Sequence, residues 1–252
     1  ADTNRDKERW YIKGFCQVCE KKSKFLLDWK YSDEIIPNFR ERLVCEYCSL
    51  NNRHRFMASY LINLTKNKKY NIADIYVYEQ VTGFYKYIKE NLKNITITGS
   101  EYLGFNKKPG GIYNNIRHED ALNLSFTDNS FDIIVSNDVY EHVPDISKSL
   151  KEAYRVLRDK GKLIFSIPFH KERLKTEKRA EVKNDKLIHL LPEQYHGNPI
   201  DENGSLVFYD FGWDFLNMCK ESGFKDSYML SYYSIFYGYL GGGIQFIFVA
   251  EK

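Results

Sequence analysis

The chain carries little net charge and no unbroken apolar run, and both deficits narrow its class. Lysine and arginine total 37 against 34 aspartate and glutamate, a formal net charge of +3 over 252 residues. Nucleic-acid binders ordinarily show a clear basic excess or stripe, so this balance speaks against a nucleic-acid partner. The local basic runs, Arg53-His54-Arg55 and Lys171 to Arg179, read as solvated helix or loop segments. Residues Ala1 to Arg9 lack the apolar segment of a secretory leader. The most apolar stretch, Tyr232 to Ala250, is interrupted by Tyr232, Tyr233, Ser234, Tyr237, Tyr239 and Gln245 and by the triplet Gly241-Gly242-Gly243. That pattern suits two short strands and a turn rather than a membrane span. The expectation is a soluble, cytoplasmic protein with no membrane span.

Cysteine is scarce, but its spacing is regular. Four of five cysteines form the pairs Cys16-Gln-Val-Cys19 and Cys45-Glu-Tyr-Cys48, with 25 residues between them. Two disulfides are not expected in a chain without a secretion signal, and a redox C-x-x-C motif does not ordinarily come in two copies. Two thiolates on a tight knuckle approach one ion at about 2.3 Å each, and two knuckles complete a tetrahedron. A short polar segment buries too little apolar surface to fold unaided, and a bound ion supplies the missing free energy. The expectation is therefore a structural zinc ion on Cys16, Cys19, Cys45 and Cys48, with no open position for catalysis. Cys219 stands alone in an apolar stretch and reads as a core residue.

The remaining chain has the apolar content of a packed domain, 43%. Phe56, Tyr60, Leu61 and Leu64 have helical periodicity, and the polar break from Thr65 to Tyr70 marks a boundary. The division read from it is residues 1–65 for a zinc-binding module with its linking helix, and 66–252 for a second domain. Strands are expected at Ile75–Tyr78, Asn94–Thr98, Phe131–Val135 and Lys162–Ile167, and helices at Phe84–Leu92, Ile146–Leu157 and Phe211–Ser222. The last helix should end in a left-handed cap at Gly223. Tyr232–Tyr239 and Ile244–Ala250 look like a final hairpin. Strands separated by helices imply crossover connections and a largely parallel, doubly wound α/β sheet.

In such sheets ligands bind beyond the carboxyl ends of the strands. The residues there are Glu79-Gln80-Val-Thr82-Gly83, Glu101-Tyr102, Asp120-Ala121, Asn137-Asp138 and Pro168-Phe-His170. An acidic residue after the second strand commonly holds a ribose diol. Glu101 fits that position, though an exposed end-of-strand carboxylate would look the same. The run from Glu119 through Phe165, with Glu119-Asp120-Ala-Leu-Asn-Leu-Ser-Phe126, Asn129-Ser-Phe-Asp-Ile-Ile-Val-Ser136, Val139-Tyr-Glu-His-Val143 and Gly161-Lys-Leu-Ile-Phe165, resembles the class I S-adenosylmethionine-dependent methyltransferases. It is most similar to the group containing the ubiquinone- and menaquinone-pathway C-methyltransferases. With the paired cysteines, Gly99-Ser-Glu101 and Pro192-Glu-Gln-Tyr-His-Gly197, it resembles a bacterial subgroup often associated with surface-glycan biosynthesis.

The resemblance implies a Rossmann-like, seven-stranded doubly wound sheet that binds S-adenosyl-L-methionine. It implies that Glu79, Gln80 and Thr82 form the first cofactor turn and that Glu101, beside Tyr102, holds the ribose. Asp120 and Ala121 would approach the adenine, and Asn137 and Asp138 the methionine part and the acceptor. One departure is plain: the family's first turn is glycine-rich, and here it has a single glycine, Gly83. This cofactor has no phosphate to cradle, so glycines are less strictly needed there. The acceptor implied is a small molecule or a glycan precursor, methylated on a sugar hydroxyl or on a phosphate or phosphoramidate oxygen. Two alternatives are an RNA methyltransferase with a zinc module and a non-catalytic binding module of the same fold.

Histidine is the commonest general base, and the candidates are His170, His196 and His142. His142 serves equally well as a structural or pocket-wall residue. The stretch Leu187 to Tyr209, with His189, Tyr195 and His196 and a turn expected at Asp201-Glu-Asn-Gly204, is long for a connection in a compact domain. It reads either as a lid over the acceptor or as a plain surface excursion.

Overall fold

The computed structural model describes residues 8–32, 35–184, 186–241 and 243–252, so Gly242 of the glycine triplet and the N-terminal residues 1–7 lie outside it. The chain divides into two compact units that are not contiguous in sequence. The first comprises residues up to Asn71 with Lys86–Lys93 and Leu230–Phe246, and the second comprises Ile72–Tyr85, Asn94–Met229 and Ile247–Lys252.

The first unit begins with β1 (Arg9–Cys16), β2 (Lys21–Asp28) and β3 (Val44–Cys45), an antiparallel three-stranded sheet in that order. The two cysteine knuckles follow β1 and β3. Each is closed by a residue in the left-handed region directly after its second cysteine, Glu20 at φ 52° and Ser49 at φ 57°. Helix α1 (Asn52–Lys66) follows, and the Asn51 side chain accepts a hydrogen bond from the His54 backbone N–H as its N-cap. The basic run at its start is not solvated, contrary to the sequence reading. Arg55 is fully buried. Its Nη1 donates to the Tyr237 carbonyl at 2.7 Å, its Nη2 donates to the Gly238 carbonyl at 2.6 Å, and its guanidinium lies 4.0 Å from the Phe25 ring. Arg53 forks onto Glu41 through Nε and Nη2. Helical spacing places Arg55 on the same face as Ala58 and Ser59, and what makes that face inward is the segment 230–246, which no local pattern announces.

The second unit is built on a six-stranded mixed sheet. From Asp74 onward the elements of the chain are, in order, β4 (Asp74–Val77), α2 (Gly83–Asn91), β5 (Thr96–Gly99), the short hairpin β6 (Ile112–Tyr113) and β7 (Ile116–Arg117), β8 (Phe131–Asn137), α3 (Ile146–Val156) and β9 (Leu157–Ser166). Then come β10 (Glu177–Lys178), β11 (Ala180–Lys183), β12 (Lys186–His189), β13 (Tyr195–Asn198), β14 (Asp201–Leu206), β15 (Tyr209–Asp210), α4 (Phe215–Glu221), β16 (Asp226–Tyr232) and β17 (Gln245–Glu251). The sheet order is β16-β17-β9-β8-β4-β5. Strands β5, β4, β8 and β9 are mutually parallel, and β17 pairs antiparallel with β9.

The count corrects the expected seven strands to six among the described residues. Beyond β5 the chain is interrupted by Gly104 and by Pro109-Gly110-Gly111, and it pairs with the sheet edge through one parallel bridge, Glu101 to His118. A full edge strand does not form there. The last strands also differ from expectation. Strand β16 ends at Tyr232, and 233–239 is a turn closed by the Ser234–Tyr239 bridge. Helix α3 ends at Val156, and Asp159-Lys-Gly161 lies inside β9 as a bulge with Lys160 at φ 64°. Gly223 does have positive φ after α4.

The strands hold together for simple reasons. Helix α3 is capped by Asp145, which accepts from the Lys148 N–H, and it buries Ile146, Leu150, Ala153 and Val156 at helical spacing. At the amino ends of the strands Arg158 bridges Asp132 at 2.9 Å and Asp74 at 2.8 Å. In the core the Tyr76 ring packs against Phe126 and Phe131, and its hydroxyl meets Ser100 Oγ at 2.6 Å. No helix among the described residues is long and apolar enough to cross a membrane.

Arg55→Met removes a buried cation and leaves two carbonyls without a donor. The expected loss is on the order of 3 kcal/mol, read as a lower denaturant midpoint of the full chain. Arg55→Lys should recover only part of it, because an ammonium does not present the fork that reaches two carbonyls at once.

Candidate active site

The carboxyl ends of β4, β5 and β8 meet at one edge of the sheet, and most of the predicted cofactor residues are found there. Glu101 is nearly buried, and its Oε1 accepts two backbone N–H bonds, from Gln80 at 2.7 Å and Val81 at 2.9 Å. Its Oε2 has no hydrogen-bond partner among the described residues. Burial pushes the Glu101 carboxyl up, and those two N–H donors pull it back. The Gln80 side chain spans to the neighbouring hairpin: its Nε2 donates to the Asn115 carbonyl, and its Oε1 accepts from the Arg117 N–H, both at 2.9 Å. Thr82 caps α2 by accepting from the Tyr85 N–H.

The first turn needs no further glycines because the close approach comes from its neighbour. A Cβ on Gly99 would lie 2.7 Å from the Glu79 carbonyl oxygen and 2.4 Å from the Tyr85 ring. At Gly83 an added Cβ would meet open space.

At the end of β8 the Asn137 amide donates to Glu79 Oε1 at 2.6 Å, tying β4 to β8. Its own Oδ1 is buried with no hydrogen-bond partner. Asp138 sits at φ 52°, and its carboxylate accepts from Ser166 Oγ at 2.9 Å. Asp120 Oδ1 accepts from the Leu122 N–H, and Asp120 bridges to Asn123, so this residue and Ala121 form a tight turn. Tyr102 is more than half exposed, with its ring 5.5 Å from that of buried His118. Burial first and Asp120 second push its phenol up.

The three histidine candidates separate into two groups. His142 lies on a 3-10 turn, Tyr140–His142, just past β8, and His196 lies on β13. Both rings point at Glu141: His142 Nε2 and His196 Nδ1 are each 3.6 Å from Oε1. Glu141 is fully buried, and neither of its oxygens has a hydrogen-bond partner. His170 stands apart, with Nδ1 3.1 Å from Glu172 and Nε2 3.7 Å from Asp210, which also pairs with Arg179 at 2.7 Å.

The stretch expected to be a loop is a set of hairpins. Strand β11 pairs with β12, β13 with β14, and β10 with β15. The connection between β13 and β14 is the two residues Pro199-Ile200, and Asp201–Gly204, expected as the turn, belongs to β14. The backbone relieves the short connection through a bulge, with Gly204 at φ +78° and so close to the partner strand that a Cβ would lie 2.4 Å from the His196 carbonyl. Tyr195 turns outward and donates to Glu193, and His189 pairs with the same carboxylate.

Four residues of this region are not among the site candidates that the sequence offers: Glu141, Ser166, His118 and Gly99. Glu141 was visible beside His142, but its second partner is 55 positions away, and nothing local says that its carboxylate points inward. His118 accepts from the Leu103 N–H through Nδ1, a contact made possible only by the single bridge that replaces an edge strand.

In the first unit the four cysteine sulfurs converge. Cys16 and Cys48 are 3.9 Å apart, Cys19 and Cys45 3.8 Å, and all four lie within 4.8 Å of one another. Sulfurs held about 2.3 Å from one tetrahedral ion sit about 3.8 Å apart, so the spacing fits an ion at the centre. Ser23 Oγ lies 3.0 Å from Cys45 Sγ, and the Tyr47 N–H donates to the same sulfur at 3.4 Å, as supporting donors around a thiolate should. Burial, then the neighbouring thiols, push Cys19 up to about 12, and hydrogen bonds from the other thiols hold Cys45 far below the usual range. Four such groups do not ionise together without a cation among them. Cys219 is buried in the core, and burial pushes it up to about 12.

Residues 67–165 match the family model described as a methyltransferase domain. The chain is similar to the ubiquinone/menaquinone biosynthesis C-methyltransferase UbiE of Rickettsia prowazekii, 29% identical over 248 residues that cover 90% of this chain and 96% of that one. It is 31% identical to the protein of the same name from Rickettsia bellii over 191 residues, 66% of this chain and 69% of the relative. It is also similar to the arsenite methyltransferase of Aquipseudomonas alcaligenes, 33% identical over 108 residues, but these cover 43% of this chain and only 26% of that enzyme's length.

Gly204→Ala should push β14 away from His196 and separate its ring from Glu141. The expected cost is about 1–3 kcal/mol of stability, with a changed chemical environment for the His196 ring in the side-chain NMR spectrum. An unchanged His196 resonance would mean that the glycine does not position it.

Proposed function

Because this chain belongs to the S-adenosylmethionine-dependent methyltransferases, we propose that it methylates a small-molecule acceptor of the glycan-precursor type, on a sugar hydroxyl or a phosphate-like oxygen. The observation that carries the reading is Glu101: one carboxylate oxygen is taken by two backbone N–H groups, and the other is left for a ligand. Bound S-adenosylmethionine brings a methyl group already activated on a sulfonium, so the protein's task is alignment and exclusion of water. In this reading Glu101 Oε2 accepts from the ribose hydroxyls, while Glu79, Gln80 and Thr82 shape the adjoining turn and Tyr102 flanks it. Asp120 and Ala121 approach the adenine. Asn137, whose Oδ1 has no hydrogen-bond partner, and Asp138 take the methionine part.

The acceptor is proposed to lie against His142 and His196, which face a buried carboxylate only a few residues beyond Asn137 and Asp138. His170 is tied into a carboxylate–arginine network and has less freedom to take a proton from an acceptor. An acceptor rich in hydroxyl or anionic oxygens suits this polar wall better than an apolar one. The likeness to the glycan-associated subgroup supports the same choice.

In the first unit, Cys16, Cys19, Cys45 and Cys48 are proposed to hold one structural zinc ion, supported by the sulfur spacing.

Two measurements test these statements. Calorimetry with S-adenosylhomocysteine should show binding by the wild type and a loss of ~1.5–3 kcal/mol in Glu101→Ala, about one to two decades in affinity. Unchanged affinity would remove Glu101 from the site. Elemental analysis should find one zinc per chain, and Cys45→Ser should lose it together with a lower melting temperature. A metal-free protein of normal stability would overturn the zinc assignment.

A further inference from the structure

Glu141 poses an electrostatic problem. Its carboxylate is fully buried, and neither oxygen accepts a hydrogen bond. An unpaired buried carboxylate costs several kcal/mol, and proteins avoid that cost by pairing the charge or by coordinating a metal. The groups aimed at it are two imidazole nitrogens, each 3.6 Å from Oε1.

The His142 ring decides what is missing. Its Nδ1 lies 2.8 Å from the Leu206 carbonyl oxygen. A carbonyl only accepts, so Nδ1 carries the proton, and in the neutral ring Nε2 bears the lone pair. That lone pair faces the Glu141 carboxylate. Two electron-rich groups repel unless a proton or a metal cation lies between them, and at 3.6 Å neither imidazole nitrogen makes a hydrogen bond to the carboxylate, a gap that a metal ion fills. On the far side of His196, Nε2 lies 3.3 Å from the Gln194 amide nitrogen, and exchanging the amide's oxygen and nitrogen by a flip puts an acceptor at that place. With the amide oxygen turned toward it, Gln194 takes the Nε2 proton and leaves Nδ1 free to ligate. Second groups of this kind orient histidine ligands.

We propose that Glu141, His142 and His196 form a second metal site, for a divalent first-row transition ion. The three ligand atoms lie within 4.8 Å of one another. Two ligands at about 2.1 Å from a tetrahedral ion are about 3.4 Å apart, so the observed 3.6 Å requires only a small contraction. Two imidazoles and one carboxylate suit zinc, iron, cobalt or manganese, and unlike the four-thiolate cluster they leave coordination positions open. The site lies just beyond the carboxyl end of β8, where ligands of such sheets bind. Resting on the methyl-transfer reading, its role is to bind the acceptor's oxygens and present one of them to the methyl group.

The test is a titration of the full-length, zinc-loaded protein with cobalt(II) chloride, followed by visible absorption. The expected result is one cobalt ion per chain with nitrogen–oxygen ligand-field bands and no sulfur-to-metal charge-transfer band. Affinity should fall at least about tenfold in His196→Ala and in Glu141→Gln. The second variant keeps the side-chain shape, so a folded protein confirmed by circular dichroism still decides the matter if His196→Ala unfolds. No cobalt uptake by the wild type, uptake only with sulfur bands, or equal uptake by the variants would each overturn the proposal. S-adenosylhomocysteine binding, measured separately, distinguishes the two readings: binding without cobalt uptake sinks the metal site alone, and cobalt uptake without cofactor binding sinks the methyl-transfer reading alone.

Discussion

Parallel pairing is the constraint from which the rest of the second unit follows. In register, Val77 of β4 stands beside Gly99 of β5 and Val135 of β8, and Asn137 stands beside Ser166 of β9. Parallel strands all end on the same side, so the next residue or two of each chain segment arrive at a common edge. Glu79, Gln80, Glu101, Asn137, Asp138 and Ser166 are neighbours for that reason alone. The hydrogen bonds among them, Asn137 to Glu79, Ser166 to Asp138 and the Gln80 and Val81 amides to Glu101, then stiffen a rim that the strand backbones have already assembled. A rigid rim is what a displacement reaction needs, since its rate depends on alignment more than on any single acid or base.

The hairpins between β9 and α4 meet that edge at the turn that bears Glu141 and His142. Their strands are short, and the β13–β14 connection is two residues long, with a bulge absorbed at Gly204. The result is that His196 is carried on a paired strand rather than on an open loop. Phe208 donates its N–H to the Glu141 carbonyl at 2.7 Å, and Tyr209 donates its hydroxyl to the Pro144 carbonyl, so the hairpin segment is stitched to the turn that bears Glu141 and His142. Side chains supported in this way hold their geometry better than side chains on a free excursion.

The chain therefore has two clusters of metal-ligating groups with opposite chemistry. The four thiols of the first unit, which β1 and β3 bring together, would close a set of soft ligands around one ion. The Glu141–His142–His196 set is harder and incomplete. A closed set suits stability, and an open one suits a ligand that comes and goes.

By itself the sequence determined the features that are local or periodic. The C-x2-C spacing announced the four-cysteine cluster, because two residues between thiols are enough to shape one knuckle. The short apolar runs announced β4, β5, β8 and β9, and the residues after them announced the rim, because strand-end position follows from chain order in a parallel sheet. The run from Glu119 to Phe165 carried the family likeness. Only the tertiary structure decided the rest. It buried Arg55, whose two carbonyl acceptors lie over 180 positions away, and it left the edge beyond β5 as a single bridge instead of a seventh strand. It turned Glu141 inward between His142 and His196 and moved His170 to Asp210. In each case the deciding partner is distant in sequence, and side-chain direction depends on long-range packing that residue type and spacing do not encode.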